Sequence, residues 1–382
     1  MTQLNTAPAR TAPAPRPIRK KLRYRRQPPA ARYLRVLSLA CLACTVLLAG
    51  LLYFVSENWW ATAALTYLPR QPWLLPPLVL AVLSVAWNRR MIAVNLASAL
   101  MVLLVVMEFS IPFPSGGRTA AAGTKPIRIV SCNVQSYEPA FATVLREMTR
   151  RRPDIVLLQE AGEVHPLLAE HFADWHSVHV AEYWIGSRYP LELAGQCDSR
   201  TFQRTTAVAV DVETPDGQVR VFNVHLMTAR HGLTELDPSA LVDGGGRNRL
   251  ERHILLRDEE ARTTRAFIDS TSARTPVIVA GDFNMPRLSS VFRNHWSGLT
   301  DTHRAAGTGC GNTSPVSQHR FWPDWLPWIR VDHILCSDHL APVASGTGTS
   351  HGSDHHLVSA TLVRKSAGES RTASTTSSSS GR

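Results

Sequence analysis

Residues 275–284 read TPVIVAGDFN. Val277, Ile278, Val279 and Ala280 are consecutively apolar, too short for a helix and without the alternation of a half-exposed strand. Such a run fits a strand buried on both faces, which needs cover on both sides of its sheet. It ends in Asp282 and Asn284, polar residues that a buried strand has no structural need for. Working outward, the same construction recurs. IRIVSCNV (127–134) ends near Asn133, and PDIVLLQE (153–160) ends in Glu160. AVAVDVET (207–214), the turn Pro215-Asp216-Gly217 and QVRVFNVHLM (218–227) read as a hairpin whose second strand carries His225. IRVDHILCS (329–337) holds Asp332, and HHLVSATLV (355–363) opens with His355 next to Asp354. Between these runs, 139–152 has helical spacing at Phe141, Val144, Leu145 and Met148, and 249–269 reads as a long helix. The expectation is a mixed α/β domain of stacked sheets with helices outside.

Strands that converge on one edge gather Asn133, Glu160, His225, Asp282, Asn284, Asp332, Asp354 and His355 in one place. Buried charges of this kind are costly unless a metal or partner pairs them. Hard oxygen ligands suit Mg²⁺ or Mn²⁺. No cysteine–histidine cluster has zinc spacing.

In order along the chain, SCNVQ, LLQE, NVHL, GDFN, RVDHIL and SDHH resemble the motifs of the endonuclease/exonuclease/phosphatase superfamily. The resemblance covers about residues 125–364. It implies the deoxyribonuclease-I-like fold, a four-layered α/β sandwich, and metal-dependent hydrolysis of a phosphodiester (nucleic acid or phospholipid) or a phosphomonoester. Carried over, Glu160 is the principal metal ligand, supported by Asn133 and Asp354. Asp282 orients or deprotonates the attacking water, Asn284 holds a phosphate oxygen and His225 donates to the phosphoryl group. His355 is a second phosphate-site histidine, oriented by Asp332. Arg188, in SRYPL, matches a recurrent segment and is given a supporting phosphate contact. His333 is read as structural, and Asp301 and His303 as a loop or strand edge. The segment WIRVDHIL departs from the Trp-x-Asp-Arg pattern of inositol-polyphosphate phosphatases. The alternative from another class is a non-catalytic binding module on a membrane stalk. The intact set of acidic residues and histidines argues against it.

The chain has 382 residues, 44% hydrophobic and 19% charged, which excludes wholesale disorder. Six cysteines are too few for a disulfide scaffold. The net charge of +11 is local: residues 1–36 hold ten lysines and arginines and no carboxylate. Residues 121–382, with 27 basic and 28 acidic side chains, give no electrostatic argument for tight nucleic-acid binding.

The basic stretch (1–35) reads as a cytoplasmic tail before a membrane region over 36–112, with about three transmembrane helices near 36–56, 71–88 and 91–112. The charged segment before the first helix is too long for a cleaved signal peptide, and further apolar runs follow it. Arginine placement and three crossings put the catalytic domain outside the cytoplasm, held to the lipid bilayer by its N-terminal helices. These helices lack the intramembrane charge pairs a transport pathway would need. Residues 113–124 read as a linker, 125–365 as the catalytic domain and 366–382 as a disordered Ser/Thr-rich tail.

Three clusters stay open at this level. Trp322, Trp325 and Trp328 suit stacking on bases, insertion into a lipid surface, or packing beneath a loop. Arg247, Arg249, Arg252 and Arg257 follow a glycine run and suit a phosphate-facing rim, but Glu251, Asp258, Glu259 and Glu260 among them favour a salt-bridged helix face. Cys197 and Cys310, read as loop residues, suit pairing only if their backbones approach.

Overall fold

The computed structural model describes residues 28–112, 123–236, 245–272, 275–316, 322–323 and 325–366. The basic tail up to residue 27, most of the expected linker and the Ser/Thr-rich end from residue 367 lie outside the described residues.

Twelve strands are described: β1 (Ile127–Asn133), β2 (Ile155–Gln159), β3 (His176–Val180), β4 (Tyr183–Ser187), β5 (Leu191–Ser199), β6 (Arg204–Thr214), β7 (Gly217–His225), β8 (Val277–Asp282), β9 (Thr300–Asp301), β10 (Asp332–Cys336), β11 (Leu340–Thr347) and β12 (Val358–Arg364). They form two six-stranded sheets, in the orders β11-β12-β1-β2-β4-β3 and β5-β6-β7-β8-β10-β9. Each sheet has one parallel pair near its centre, β1 with β2 and β7 with β8, and its other pairs are antiparallel. A parallel pair needs a crossover, supplied by the helices Phe141–Arg150 and Gly245–Thr271.

The period-2 geometry of a strand sorts the apolar runs into layers. In β2, Ile155 and Leu157 face the space between the sheets, where they meet Val208, Val221 and Ile278. Val156 and Leu158 face outward, onto Val144, Leu145 and Met148 of the first crossover helix. In β8, Ile278 and Ala280 face inward, while Val277 and Val279 pack outward with Ala261, Ile268 and Trp296. The α/β sandwich with helices on both outer faces follows directly from these fully apolar strands.

The N-terminal region corrects the expectation of about three membrane helices. Among the described residues one helix, Pro29–Asn58, has the length and hydropathy of a span. The next two apolar helices, Gln71–Trp87 and Arg90–Val106, fall in the shorter class. At 1.5 Å per residue each reaches about 25 Å, short of the roughly 30 Å hydrocarbon core. Arg70 and the Asn88-Arg89-Arg90 corner set those limits. The multi-pass topology, and the side assigned by counting three crossings, go with that expectation. The three helices pack on one another with polar groups inside: Asn95 donates to Ser38 Oγ at 3.0 Å and Ser84 Oγ at 2.9 Å. Leu47, Phe54, Val82 and Leu100 point outward and are exposed.

This region is docked on the sandwich. Leu48, Leu52, Val102 and Val106 pack against Leu288. Ser110 and Gly309 exchange both backbone hydrogen bonds at 2.9 Å. Glu108 pairs with Arg70 at 3.0 Å and lies 3.7 Å from Arg287.

Candidate active site

Strand register assembles the site. Asn133 and Gln159 are partners at the ends of β1 and β2, which places Glu160 at that edge. His225 is opposite Asp282 at the ends of β7 and β8, and Asp282 is opposite Asp332 at the start of β10. Gly281 lets β7 and β8 approach: its φ is +148°, and a Cβ there would stand 1.8 Å from the Val224 carbonyl oxygen. Glu160 and Asn284 both have left-handed backbone, φ 54° and 53°, turning their side chains back over the strand ends.

The side chains meet across the two sheets. Asn133 Nδ2 donates to Glu160 Oε1 at 2.8 Å and to Asp282 Oδ2 at 3.2 Å. Asp282 Oδ1 accepts from the Asn284 amide N–H at 2.8 Å, and Asn284 Nδ2 donates to the Leu226 carbonyl at 2.8 Å. His225 Nε2 lies 3.8 Å from both Glu160 Oε1 and Asp282 Oδ2. His355 Nε2 lies 3.8 Å from Asp282 Oδ2 on the other side, and its Nδ1 is 2.8 Å from Asp332 Oδ2. Asp354 is tied in through its own N–H, which donates to Gln135 Oε1 at 3.0 Å.

Burial sets the electrostatics. It pushes the Asp282 carboxyl above its ordinary value; His355 pulls the other way and Asp332 adds to the rise. Burial alone would neutralise His355, but Asp332 and Asp282 outweigh it and push the imidazole up to about 10. Asp282 is thereby suited to accept a proton, and His355 to stay a cationic donor at neutral pH. Ligand atoms of Asp282, Asp332 and His355 all lie within 4.8 Å of one another, and Asp332 Oδ1 is buried without a hydrogen-bond partner. An orphaned carboxylate oxygen among hard oxygen donors fits a cation or a bound water.

Of the expected site residues, Asn133, Glu160, His225, Asp282, Asn284, Asp332 and His355 come together, with Asp354 at their side. Arg188 does not. It follows Ser187, which pairs with Ile155 at the opposite end of β2 from Glu160. Its guanidinium bonds the Pro153 carbonyl at 2.9 Å and stacks on Trp175. His333 is buried and bonds the Met285 carbonyl, as its structural reading required. Asp301, on the edge strand β9, forms a buried pair with Arg330.

The strand-end pattern missed Glu182, whose Oε1 is 2.8 Å from His225 Nδ1 and 2.6 Å from Arg204. Burial opposes its charge, but the bond from His225 prevails and lowers its carboxyl to about 2. Glu182 stands in the turn before β4, in a hairpin whose apolar runs are too short to announce themselves. Gln159 and Asn223 were also missed. Their side-chain amides join β2 to β7 at 2.5 Å beneath the site, and both sit inside the quoted motifs LLQE and NVHL.

Of the open clusters, Trp325 is exposed while Trp322 and Trp328 are half-buried. Arg247 and Arg249 are exposed and paired with Glu251 and Glu235, but Arg257 is fully buried and faces the N-terminal region. Cys197 lies within β5, not in a loop, and all six cysteines are free.

A family model described as Endonuclease/Exonuclease/phosphatase family matches residues 130–355. Similar solved structures include an endonuclease/exonuclease/phosphatase family protein from Bacteroides thetaiotaomicron, 14% identical over 64% of this chain and 99% of that one, TM-score 0.47. D. rerio TDP2 complexed with single strand DNA product is 15% identical over 62% of this chain and 99% of that one, TM-score 0.46. Bacteroides thetaiotaomicron VPI-5482 mannosyl-6-phosphatase Bt3783 is 14% identical over 62% and 99%, TM-score 0.43. No curated protein sequence matches the chain.

Proposed function

The chain belongs to the endonuclease/exonuclease/phosphatase family, and from that premise we propose that it is a membrane-anchored, divalent-metal-dependent phosphoesterase. Its substrate is a phosphodiester, of a nucleic acid or a phospholipid, or a phosphomonoester, cleaved by attack of water. One observation carries the reading: Glu160, His225, Asp282, Asp332 and His355 converge from both sheets on one edge.

Glu160 would be the principal holder of a divalent ion such as Mg²⁺ or Mn²⁺, with Asn133 fixing its orientation and Asp354 beside them, while the Asp282–Asp332–His355 group, with its charged imidazole, is left to the proton and a phosphoryl oxygen. When bound, the ion neutralises phosphoryl charge. The protein's own groups do the rest. Asp282, its carboxyl raised by burial, accepts a proton from the attacking water. Asn133 and the Asn284 amide hold that carboxylate in place. His355, kept charged by Asp332, donates to a phosphoryl oxygen from one side, and His225, held by Glu182, from the other. Arg188 is left without a role in binding phosphate.

Anchoring rests on the helix Pro29–Asn58, the one described with the length and hydropathy of a span; its Leu47 and Phe54 point outward, while Ser38, Asn95 and Ser84 are buried between it and its two shorter neighbours. That is the reverse of a water-soluble bundle and suits a lipid surround.

The test is hydrolysis by the full-length chain of single- and double-stranded DNA, RNA, sphingomyelin, phosphatidyl lipids and inositol phosphates, each with Mg²⁺, with Mn²⁺ and with EDTA. Turnover of at least one substrate that EDTA abolishes supports the reading. A folded chain that binds no divalent ion and turns over none of them favours the non-catalytic module.

A further inference from the structure

Arg257 is the second-largest fully buried side chain described, and it is 200 residues from its ionic partner. Its Nη1 donates to Glu57 Oε1 at 3.0 Å and to the Tyr67 hydroxyl oxygen at 2.9 Å; the Tyr67 hydroxyl in turn donates to Glu57 at 2.5 Å. Both carbonyls that its other nitrogens reach belong to the active-site loops. Nε donates to the Met227 carbonyl, two residues beyond His225, and Nη2 to the Asn284 carbonyl, each at 2.9 Å. Glu57 also caps the helix Ser290–Trp296 by accepting from the Val291 amide at 3.3 Å and from the Ser289 hydroxyl. The backbone after β7 and the backbone after β8 are thus held by one guanidinium, and the carboxylate balancing its charge comes from the end of the apolar N-terminal helix.

A second contact joins the same segment to the site. Tyr67 lines a cavity of about 440 Å³ whose walls also include Asn284, His355, Trp328 and Leu233. Trp328 Nε1 donates to the Tyr67 carbonyl at 3.0 Å.

We propose that the segment Ser56–Tyr67, outside the family-matched stretch, is a working part of the active site. Glu57 and Tyr67 act through Arg257 as positioning residues for the Met227 and Asn284 backbone. Tyr67 is also a wall of the cavity that receives the substituent of the scissile phosphate. Anchor and catalytic domain are then one unit, and geometry at Asn284 depends on how the N-terminal helix is seated. This inference rests on the assignment of His225, Asp282 and Asn284 to the reacting site.

A buried guanidinium that loses its counter-charge does not hold two carbonyls as before. A displacement of about 1 Å at a catalytic group costs up to roughly 100-fold in rate. The test uses the full-length chain in lipid nanodiscs, comparing wild type with Glu57→Gln, Tyr67→Phe and Arg257→Lys. One readout is amide hydrogen exchange, which needs no turnover. Glu57→Gln is expected to speed exchange in 226–229 and 283–291 and to leave 127–133 and 155–159 unchanged. The other readout is hydrolysis of bis(p-nitrophenyl) phosphate with Mg²⁺. There kcat should fall about 10- to 100-fold with KM within about threefold for Glu57→Gln, and several-fold for Tyr67→Phe. Arg257→Lys, which keeps the charge but loses the fork, should fall between wild type and Glu57→Gln. Faster exchange confined to residues 51–70, or wild-type kcat in folded Glu57→Gln, overturns the proposal. A wild type that hydrolyses nothing while the exchange pattern holds counts instead against the phosphoesterase reading.

Discussion

Gly281→Ala puts the close approach of β7 and β8 to a quantitative test. The added Cβ would sit 1.8 Å from the Val224 oxygen and 2.8 Å from the Val224 carbon and nitrogen. The obstacle is backbone in the middle of a sheet, so no side chain can swing away. Restoring an ordinary contact needs the two strands to part by about 1 Å or more, and the φ of +148° is strained for any residue with a Cβ. Strain and overpacking together should cost about 3 kcal/mol, a melting temperature lower by about 5–10 °C. The neighbouring register pair is His225 with Asp282, so the same movement opens the site. A shift of that size should lower kcat on the order of 100-fold. The assays are thermal melting and hydrolysis of bis(p-nitrophenyl) phosphate with Mg²⁺. Gly298→Ala serves as control, since the nearest atom to its added Cβ is a flexible arginine end at 3.9 Å. Gly281→Ala with the melting temperature and kcat of the control would refute the reasoning.

Three further outcomes are expected. Asp301→Asn leaves Arg330 buried without its carboxylate and should cost about 3–5 kcal/mol in chemical denaturation. Burial opposes the Asp301 charge, but Arg330 prevails and holds its carboxyl well below the usual range. Its stabilisation is therefore present above the unfolded value near 3.9 and lost as pH falls below it; wild type should lose more stability than Asp301→Asn between about pH 5 and 3. Glu182→Gln removes the carboxylate that holds His225 and should lower kcat about 10- to 100-fold; because the same carboxylate pairs with Arg204, melting should fall as well, both checked by steady-state kinetics and calorimetry. Arg188→Ala, at the far end of β2, should keep kcat and KM within about twofold; a large loss in the same assay would return Arg188 to the site.

Much of the sandwich was legible because its inner strands are rich in apolar residues: β2 and β8 open as unbroken apolar runs, while β1 and β7 are apolar runs interrupted by Arg128 and Arg220. The strands that escaped carry weaker signals. β3 is largely exposed, β5 is half-exposed with a register shift at Gly195, and β11 holds Pro342 beside its own shift. These three and the two-residue β9 lie at sheet edges, where one flank needs no apolar partner; β4, which also escaped, is an inner, fully buried strand whose apolar run Tyr183-Trp184-Ile185 is cut short by Gly186. The candidate site was legible for a related reason: a single strand-end carboxylate or histidine is usually a solvated cap, but six apolar runs ending in such groups point to one edge. Glu182 had no such run before it. Arg188 was misplaced because the matching segment SRYPL carries no information about which end of its strand it occupies. The burial of Arg257 was illegible, since it sits among ordinary helical charges and its partner Glu57 is 200 residues away, at the end of an apolar helix.

The edge shared by the two sheets is assigned hydrolysis of a phosphate ester, with Asp282 receiving the proton. The measurement that bears on it most directly is metal-dependent hydrolysis of bis(p-nitrophenyl) phosphate by the full-length chain, wild type against Asp282→Asn, with folding checked by melting. Wild type should show Mg²⁺- or Mn²⁺-dependent turnover, and the folded variant a loss of at least about 100-fold. Turnover in Asp282→Asn equal to wild type would contradict the assignment.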